Sequence, residues 1–275
     1  MAEMEYNMEI LGYIASILIG ISLGMLGSGG SILTVPVLVY LMNVNPLLAT
    51  TSSLFIVGAT SMIGGLRAYS RRLVDFRAIT EFGIPSIFSI FITRHYILPS
   101  LPDIIFTIGN MQVSKGMFLM LVFAILMLTA SFTMIYNLHE ESDQKEVNGP
   151  DRHNKFLPLA LLGILIGFVT GLLGAGGGFL IIPTLVLFLK LPMKKAVGTS
   201  LLIIAINSLF GFLFSLKQFE YNWTILILFT ILAGAGIFIG SKLAEKISGT
   251  SLKKGFGWFI LIMGIYIIVK ELFLQ

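Results

Sequence analysis

Long apolar runs, interrupted by short charged or Gly/Pro-marked breaks, dominate this chain and narrow its folds more than any other feature. Water is absent from the hydrocarbon core of a bilayer, so a chain that lies there must satisfy its backbone N–H and C=O groups internally, and helices of roughly 20 apolar residues do so. Of the 275 residues 56% are hydrophobic and 12% charged, against roughly half and a quarter in a soluble domain. Lipid is therefore the expected solvent for most of the chain.

The runs repeat. Residues 20–39 (GISLGMLGSGGSILTVPVLV) and 167–186 (GFVTGLLGAGGGFLIIPTLV) align without a gap at an offset of 147. Gly20, Gly24, Leu26, Gly27, Gly29, Gly30, Leu33, Pro36, Leu38 and Val39 meet identical residues, and further on Ala49, Ser53, Leu54 and Gly64 meet Ala196, Ser200, Leu201 and Gly211. An ordered Gly, Pro and Ser series of this kind points to duplication. The breaks divide each copy into five segments, near 8–26, 30–43, 47–66, 77–97 and 114–137, then 156–173, 178–190, 195–216, 222–243 and 254–273. The domains are thus a first membrane repeat over 1–137, a polar linker over 138–155 and a second repeat over 156–275. Each second segment is short: about 14 helical residues reach about 21 Å, less than the roughly 30 Å hydrocarbon core.

Five is an odd number, so the second copy enters the membrane from the side opposite to the first. With the N-terminus outside, the linker is cytoplasmic and 14 of the 18 basic residues fall inside, leaving Arg94, Lys115, Lys217 and Lys270 outside. Parallel copies would divide the same residues evenly, so the positive-inside rule favours an all-α integral membrane protein of two inverted-topology repeats. Whether each short pair crosses the membrane or forms a re-entrant hairpin stays open, because both leave the charged loops in place. The acidic start MAEMEYNMEI lacks a signal-peptide n-region, and the first segment is expected to stay.

Two breaks, 24-GMLGSGGS-31 and 171-GLLGAGGG-178, each open a short apolar helix. Glycine lets a ligand approach the backbone, and a helix start presents unsatisfied N–H groups and a positive dipole end, which together suit an anion. Transporters with inverted repeats place their substrate at interrupted helices in corresponding positions of the two halves. Gly27, Ser28, Gly29, Gly30 and Ser31, with Gly174, Gly176, Gly177 and Gly178, are accordingly the candidate substrate-binding residues. The hydroxyl-rich third segments, 50-TTSSL-54 and 198-GTSLL-202, add Ser53 and Ser200, and Asn207 and Ser208 lie two turns on. The same glycines also permit close helix packing, and the same hydroxyls bond to their own helices.

Intramembrane charge is sparse. Glu81 is the candidate coupling group, while its neighbours Asp75 and Arg77 favour an interfacial position. Arg94, on the outer side, could attract or guide an anion, and reads first as a snorkelling residue. No metal site or cofactor is expected: His139 and His153 sit in the linker, no cluster has metal-ligand spacing, and the chain has no cysteine. The basic residues cluster in loops and form no nucleic-acid face. The glycine clusters lack the Lys-Ser/Thr of a phosphate loop and the third glycine of a dinucleotide fingerprint. Gly198-Thr199-Ser200 is followed by leucines, Leu201 and Leu202, where a nucleophile turn needs its second glycine. An enzyme is not indicated.

The doubled G-x-x-x-G-[LM]-L-G-x-G-G-[GS]-x-[LI]-x-x-P-x-L motif, each copy followed by A-x-x-[ST]-S-L, resembles the sulfite exporter (TauE/SafE) family of membrane permeases over both halves. The resemblance implies a bacterial or archaeal inner-membrane carrier for sulfite, a sulfonate or a related small organosulfur anion. The expected partners are that anion and the lipid bilayer, with self-association left open. A channel-like anion pore and a non-transporting membrane scaffold or assembly factor remain alternatives.

Overall fold

A computed structural model describes residues 2–27, 30–108, 111–136, 156–243 and 249–273. Among the described residues the regular structure is helical apart from one hairpin. In the first half run α1 (Ala2–Leu26), α2 (Ser31–Tyr40), α3 (Pro46–Ser70), α4 (Phe76–Ser100), the strands β1 (Ile104–Ile108) and β2 (Met111–Ser114), and α5 (Lys115–Tyr136). In the second half run α6 (Phe156–Leu173), α7 (Gly178–Leu189), α8 (Met193–Ser215), α9 (Trp223–Leu243) and α10 (Gly249–Phe273). Seven helices among the described residues, α1, α3, α4, α5, α6, α8 and α9, are long and apolar enough to cross a membrane. At 10 and 12 residues, α2 and α7 extend about 15 Å and about 18 Å, short of a span.

Local chemistry sets these boundaries at the same offset in both halves. α1 and α6 end at Leu26 and Leu173, α2 and α7 begin at Ser31 and Gly178, α3 and α8 at Pro46 and Met193, α4 and α9 at Phe76 and Trp223. Ahead of α4 the Asp75 carboxylate accepts from Ala78 N at 3.1 Å, and ahead of α9 the Asn222 amide oxygen accepts from Ile225 N at 3.3 Å. Both satisfy N–H groups that a helix start leaves bare. Asn45 does the same for α3, with Pro46 in the first turn, where its missing N–H costs nothing.

α3 and α8 form the centre. The Thr50-Thr51-Ser52-Ser53 run, Thr60 and Ser61 on α3 are all buried, as are Thr199, Ser200, Asn207, Ser208 and Ser215 on α8. The outer helices turn apolar faces away from this polar core: Leu157, Leu161 and Leu165 make one exposed stripe on α6, the face expected against lipid. Contacts between the halves come in exchanged pairs. Gly64 packs on Leu201 and Gly211 on Leu54; Gly20 meets the Ala233 backbone and Gly167 the Ser86 backbone. Adding 147 to one member of each contact, and subtracting it from the other, gives the second contact of the pair.

Two features differ from the sequence reading. The fourth segment is one helix, α4, with π-helical stretches at Ile79–Gly83 and Thr93–Ile97. Each lies just ahead of a proline, Pro85 or Pro99, which has no N–H to give and crowds the carbonyl four residues back. The stretch between the fourth and fifth segments holds the β1–β2 hairpin, antiparallel with Phe106 opposite Val113 and Thr107 opposite Gln112. The linker lies outside the described residues.

Candidate functional site

The site is built on the α3–α8 pair. Leu54 touches Gly211, Phe55 lies 5.1 Å from Phe212 between ring centroids, Gly58 touches Leu209, and Gly64 and Gly65 touch Leu201 and Leu202. One number falls as the other rises, so these two equivalent helices run antiparallel. Thr60 and Ser61 on α3, and Asn207 and Ser208 on α8, occupy the middle of the overlap, all fully buried.

The glycine breaks meet this pair from α1–α2 and α6–α7. Gly27, Gly174, Gly176 and Gly177 hold positive φ of 75°, 70°, 67° and 66°, a backbone region that costs other residues about 1–2 kcal/mol. A side chain at Gly174 would collide with the Thr50 carbonyl, and one at Gly27 with Val197, the residue equivalent to Thr50. Ser53 Oγ donates to the Gly174 carbonyl and lies 3.0 Å from Thr50 O, so it ties α3 to the second turn. Its counterpart Ser200 donates to Val197 O, 2.8 Å away within its own helix. The two half-sites are therefore unequal.

At the start of α7 the geometry is the more telling. Gly177 is the residue preceding the helix, with no side-chain cap. A Cβ at Gly176 would lie 3.1 Å from Ser208 Oγ, and one at Gly177 would run into Thr170 Oγ1. Thr170 and Ser208 are completely buried, and neither hydroxyl has a hydrogen-bond partner among the described residues. A buried polar group left unpaired costs about 1–3 kcal/mol, and both hydroxyls are free to donate at this helix start. Asn207 Nδ2 donates to Ser86 Oγ on α4 at 2.8 Å, and its Oδ1 is unpaired. A hydroxyl can also donate, so Ser86 accommodates the reversed amide, which would present an NH2 group instead. The group is rich in donors and, at these residues, carries no carboxylate. That is the chemistry of an anion site.

In the first break Gly30 precedes α2, and its Cβ position is closed by the Ile19 carbonyl and Leu23. Ser31 is buried in the first turn of α2, and Ser61 Oγ, equivalent to Ser208, is buried without a partner. Gly178 is the first residue of α7. Ser28 and Gly29 lie outside the described residues. Glu81 forms an ion pair with Arg77 one turn earlier, Nε to Oε1 2.6 Å, at the start of α4.

Sequence reasoning missed Thr170 and misplaced Arg94. Thr170 faces the second glycine turn, yet its counterpart in the first copy is Leu23, so comparing the copies gave it no weight. Arg94 does not snorkel: its side chain is fully enclosed, because it sits in the second π-helical stretch of α4, against Thr51 of α3 and the turn that follows α8. Nη1 donates to Thr51 Oγ1 at 2.8 Å, Nη2 lies 3.5 Å from Thr50 O, and Nε has no partner. Outside the helices, burial pushes the Tyr221 phenol up to about 12, with Arg94 pulling in the opposite direction.

The profile of the sulfite exporter TauE/SafE family matches residues 12–267. A "Probable membrane transporter protein" of Xylella fastidiosa (strain Temecula1) is 29% identical over 265 residues, with 92% of each chain covered. Proteins with the same description from Bacillus subtilis and Methanocaldococcus jannaschii are 25% and 26% identical; the alignments cover 86% and 92% of this chain and 89% and 94% of theirs. No solved structure matches the chain.

Proposed function

Since the chain belongs to the sulfite exporter TauE/SafE family, whose members named above are membrane transporters by description, we propose that it is a secondary transporter of a small anion. Sulfite, a sulfonate or a related organosulfur anion is the proposed substrate. It binds between the glycine turns beside the α3–α8 crossing, and the two halves rock to open that site to each face of the inner membrane in turn. The observation that carries this reading is the pair of buried, unpartnered hydroxyls, Thr170 and Ser208, beside Gly177 and Gly176 at the start of α7.

The two halves lie in the membrane as inverted copies in this reading, with the N-terminus outside and residues 138–155 cytoplasmic. Support comes from the opposed directions of α3 and α8, from the exchanged contacts between halves, and from the loop charge. Movement down the membrane potential suits export of an anion, since the outside is positive. Glu81 is the residue through which a proton would be coupled instead.

Thermal stability of the detergent-purified protein against sulfite, sulfate, thiosulfate, sulfoacetate, taurine and acetate, at constant ionic strength, tests the proposal. A ligand at 100 times its Kd stabilises by about 2.7 kcal/mol, so the substrate stands out as a selective upward shift. No shift with any of these anions refutes the substrate class.

A further inference from the structure

Arg94 stands out because nothing in its surroundings balances its charge. It is completely enclosed, and its side-chain hydrogen bonds among the described residues go to a threonine hydroxyl and a backbone carbonyl, not to a carboxylate. Its coupled neighbour, the Tyr221 phenol, titrates near 12 and so is uncharged at neutral pH. Taking a cation out of water without a counter-charge is strongly unfavourable, and ionisable groups facing the interior of a membrane protein mark ligand paths. A purely structural arginine would have its five donors engaged. Here Nη1 is committed to Thr51, Nη2 is held only at the limiting distance of 3.5 Å by the Thr50 carbonyl, and Nε is bare. Nε and Nη2 form the edge of the guanidinium that a carboxylate or sulfonate takes with two parallel hydrogen bonds.

Its position ties it to the glycine turn. The Thr50 carbonyl that Nη2 approaches is the one against which Gly174 packs, and Ser53, one turn along, donates to the Gly174 carbonyl. Thr93, the preceding residue, touches Gly171 at the end of α6. The Gln218 amide donates to the Arg94 carbonyl at 3.2 Å, holding this stretch of α4 to the turn that follows α8. The second copy has no equivalent: the counterpart of Arg94 is Ser241, which accepts a hydrogen bond from the half-buried Arg67 on α3.

We propose that Arg94 is the charge-recognising ligand of the transported anion, engaging a monovalent oxyanion of the sulfonate or carboxylate class through Nε and Nη2 beside the Gly174 turn. This rests on the anion-transporter reading above and adds to it the residue that selects for charge. The anion that binds supplies the counter-charge that the surrounding side chains do not.

The test uses the full chain, with methanesulfonate and acetate as probes in thermal-shift titrations at constant ionic strength. Wild type is expected to be stabilised by at least one of the two. Arg94→Lys keeps the charge but loses the two-bond geometry and weakens that response about tenfold or more; Arg94→Gln abolishes it. Thr51→Asp places a carboxylate beside Nη1, and this variant is expected to be more stable than wild type without anion and unresponsive to it. An Arg94→Gln protein that responds as wild type does, or a Thr51→Asp protein that keeps the full response, overturns the assignment. If neither Arg94 variant folds, the Thr51→Asp result decides. Absence of any wild-type response to methanesulfonate and acetate overturns the oxyanion class assigned to Arg94, while absence of a response to the whole panel above strikes the transporter reading itself, so the two failures are told apart.

Discussion

Replacing Thr170 by valine should make this protein more stable and a worse binder. The side chain is fully buried, its hydroxyl has no partner, and it lies against Gly177 at the start of α7. Valine keeps the branched shape, so no cavity opens, and the residue is already near the end of an apolar helix. Removing an unpaired buried hydroxyl relieves about 1–3 kcal/mol of uncompensated desolvation; with partial relaxation, a gain of about 1 kcal/mol is expected. For a chain of this size that corresponds to an upward shift of about 2–4 °C in Tm. The bound anion, in contrast, loses one hydrogen bond from a neutral donor. That is worth about 0.5–1.5 kcal/mol and weakens binding by up to about tenfold. Unfolding of the detergent-purified variant, with and without the stabilising anion, reads both signs in one experiment. A variant that is less stable than wild type, or whose anion response is unchanged, refutes the argument that this hydroxyl is kept unpaired for a ligand.

Further predictions come from the same geometry. Gly174→Ala must adopt a positive φ and press a methyl group into the Thr50 carbonyl, so it should lose about 2 kcal/mol or more together with transport, whereas Gly255→Ala, with open space around it, should be neutral or slightly stabilising; comparison of the two Tm values checks this. Gly30→Leu and Gly177→Leu should each insert into the membrane and fail to transport, as membrane fractionation and vesicle flux will read. Glu81→Gln breaks an ion pair whose arginine is 43% and whose glutamate is 13% exposed, so stability should change by about 1 kcal/mol; if Glu81 couples protons, flux in the variant becomes independent of the pH gradient. The chain has no cysteine, so Ser142→Cys gives a single label site in the linker, and a membrane-impermeant maleimide should reach it only from the cytoplasmic side.

The glycine breaks and the short helices after them were legible because they rest on local chemistry. Positive φ at Gly27 and Gly174 is something few other residues accept, and the repeat at an offset of 147 showed which breaks correspond. Ser53 was found for the same reason, since both copies keep it, yet only Ser53 reaches across to a glycine turn while Ser200 bonds within its own helix. Repetition marks a shared position, not a shared role. It also hides what one copy alone contributes: Thr170 faces leucine in the comparison, and Arg94 faces serine. The burial of Arg94 depends on a π-helical stretch and on packing by α3 and the turn that follows α8, both tertiary outcomes, and an arginine near the end of an apolar run looks the same whether it snorkels or turns inward. The hairpin did leave a trace, Gly109-Asn110 after the β-branched and aromatic run Ile104-Ile105-Phe106-Thr107-Ile108, but two short strands are easily overlooked among runs several times their length.

The most direct test of the central claim is flux of a radiolabelled sulfur oxyanion into proteoliposomes containing the purified protein, measured against substrate concentration and imposed membrane potential, with unlabelled anion preloaded on the opposite side. An alternating-access carrier gives flux that saturates, accelerates on exchange with the preloaded anion and responds to the potential. Flux that rises without limit, or no flux above that of protein-free vesicles for any anion in the panel, contradicts the account.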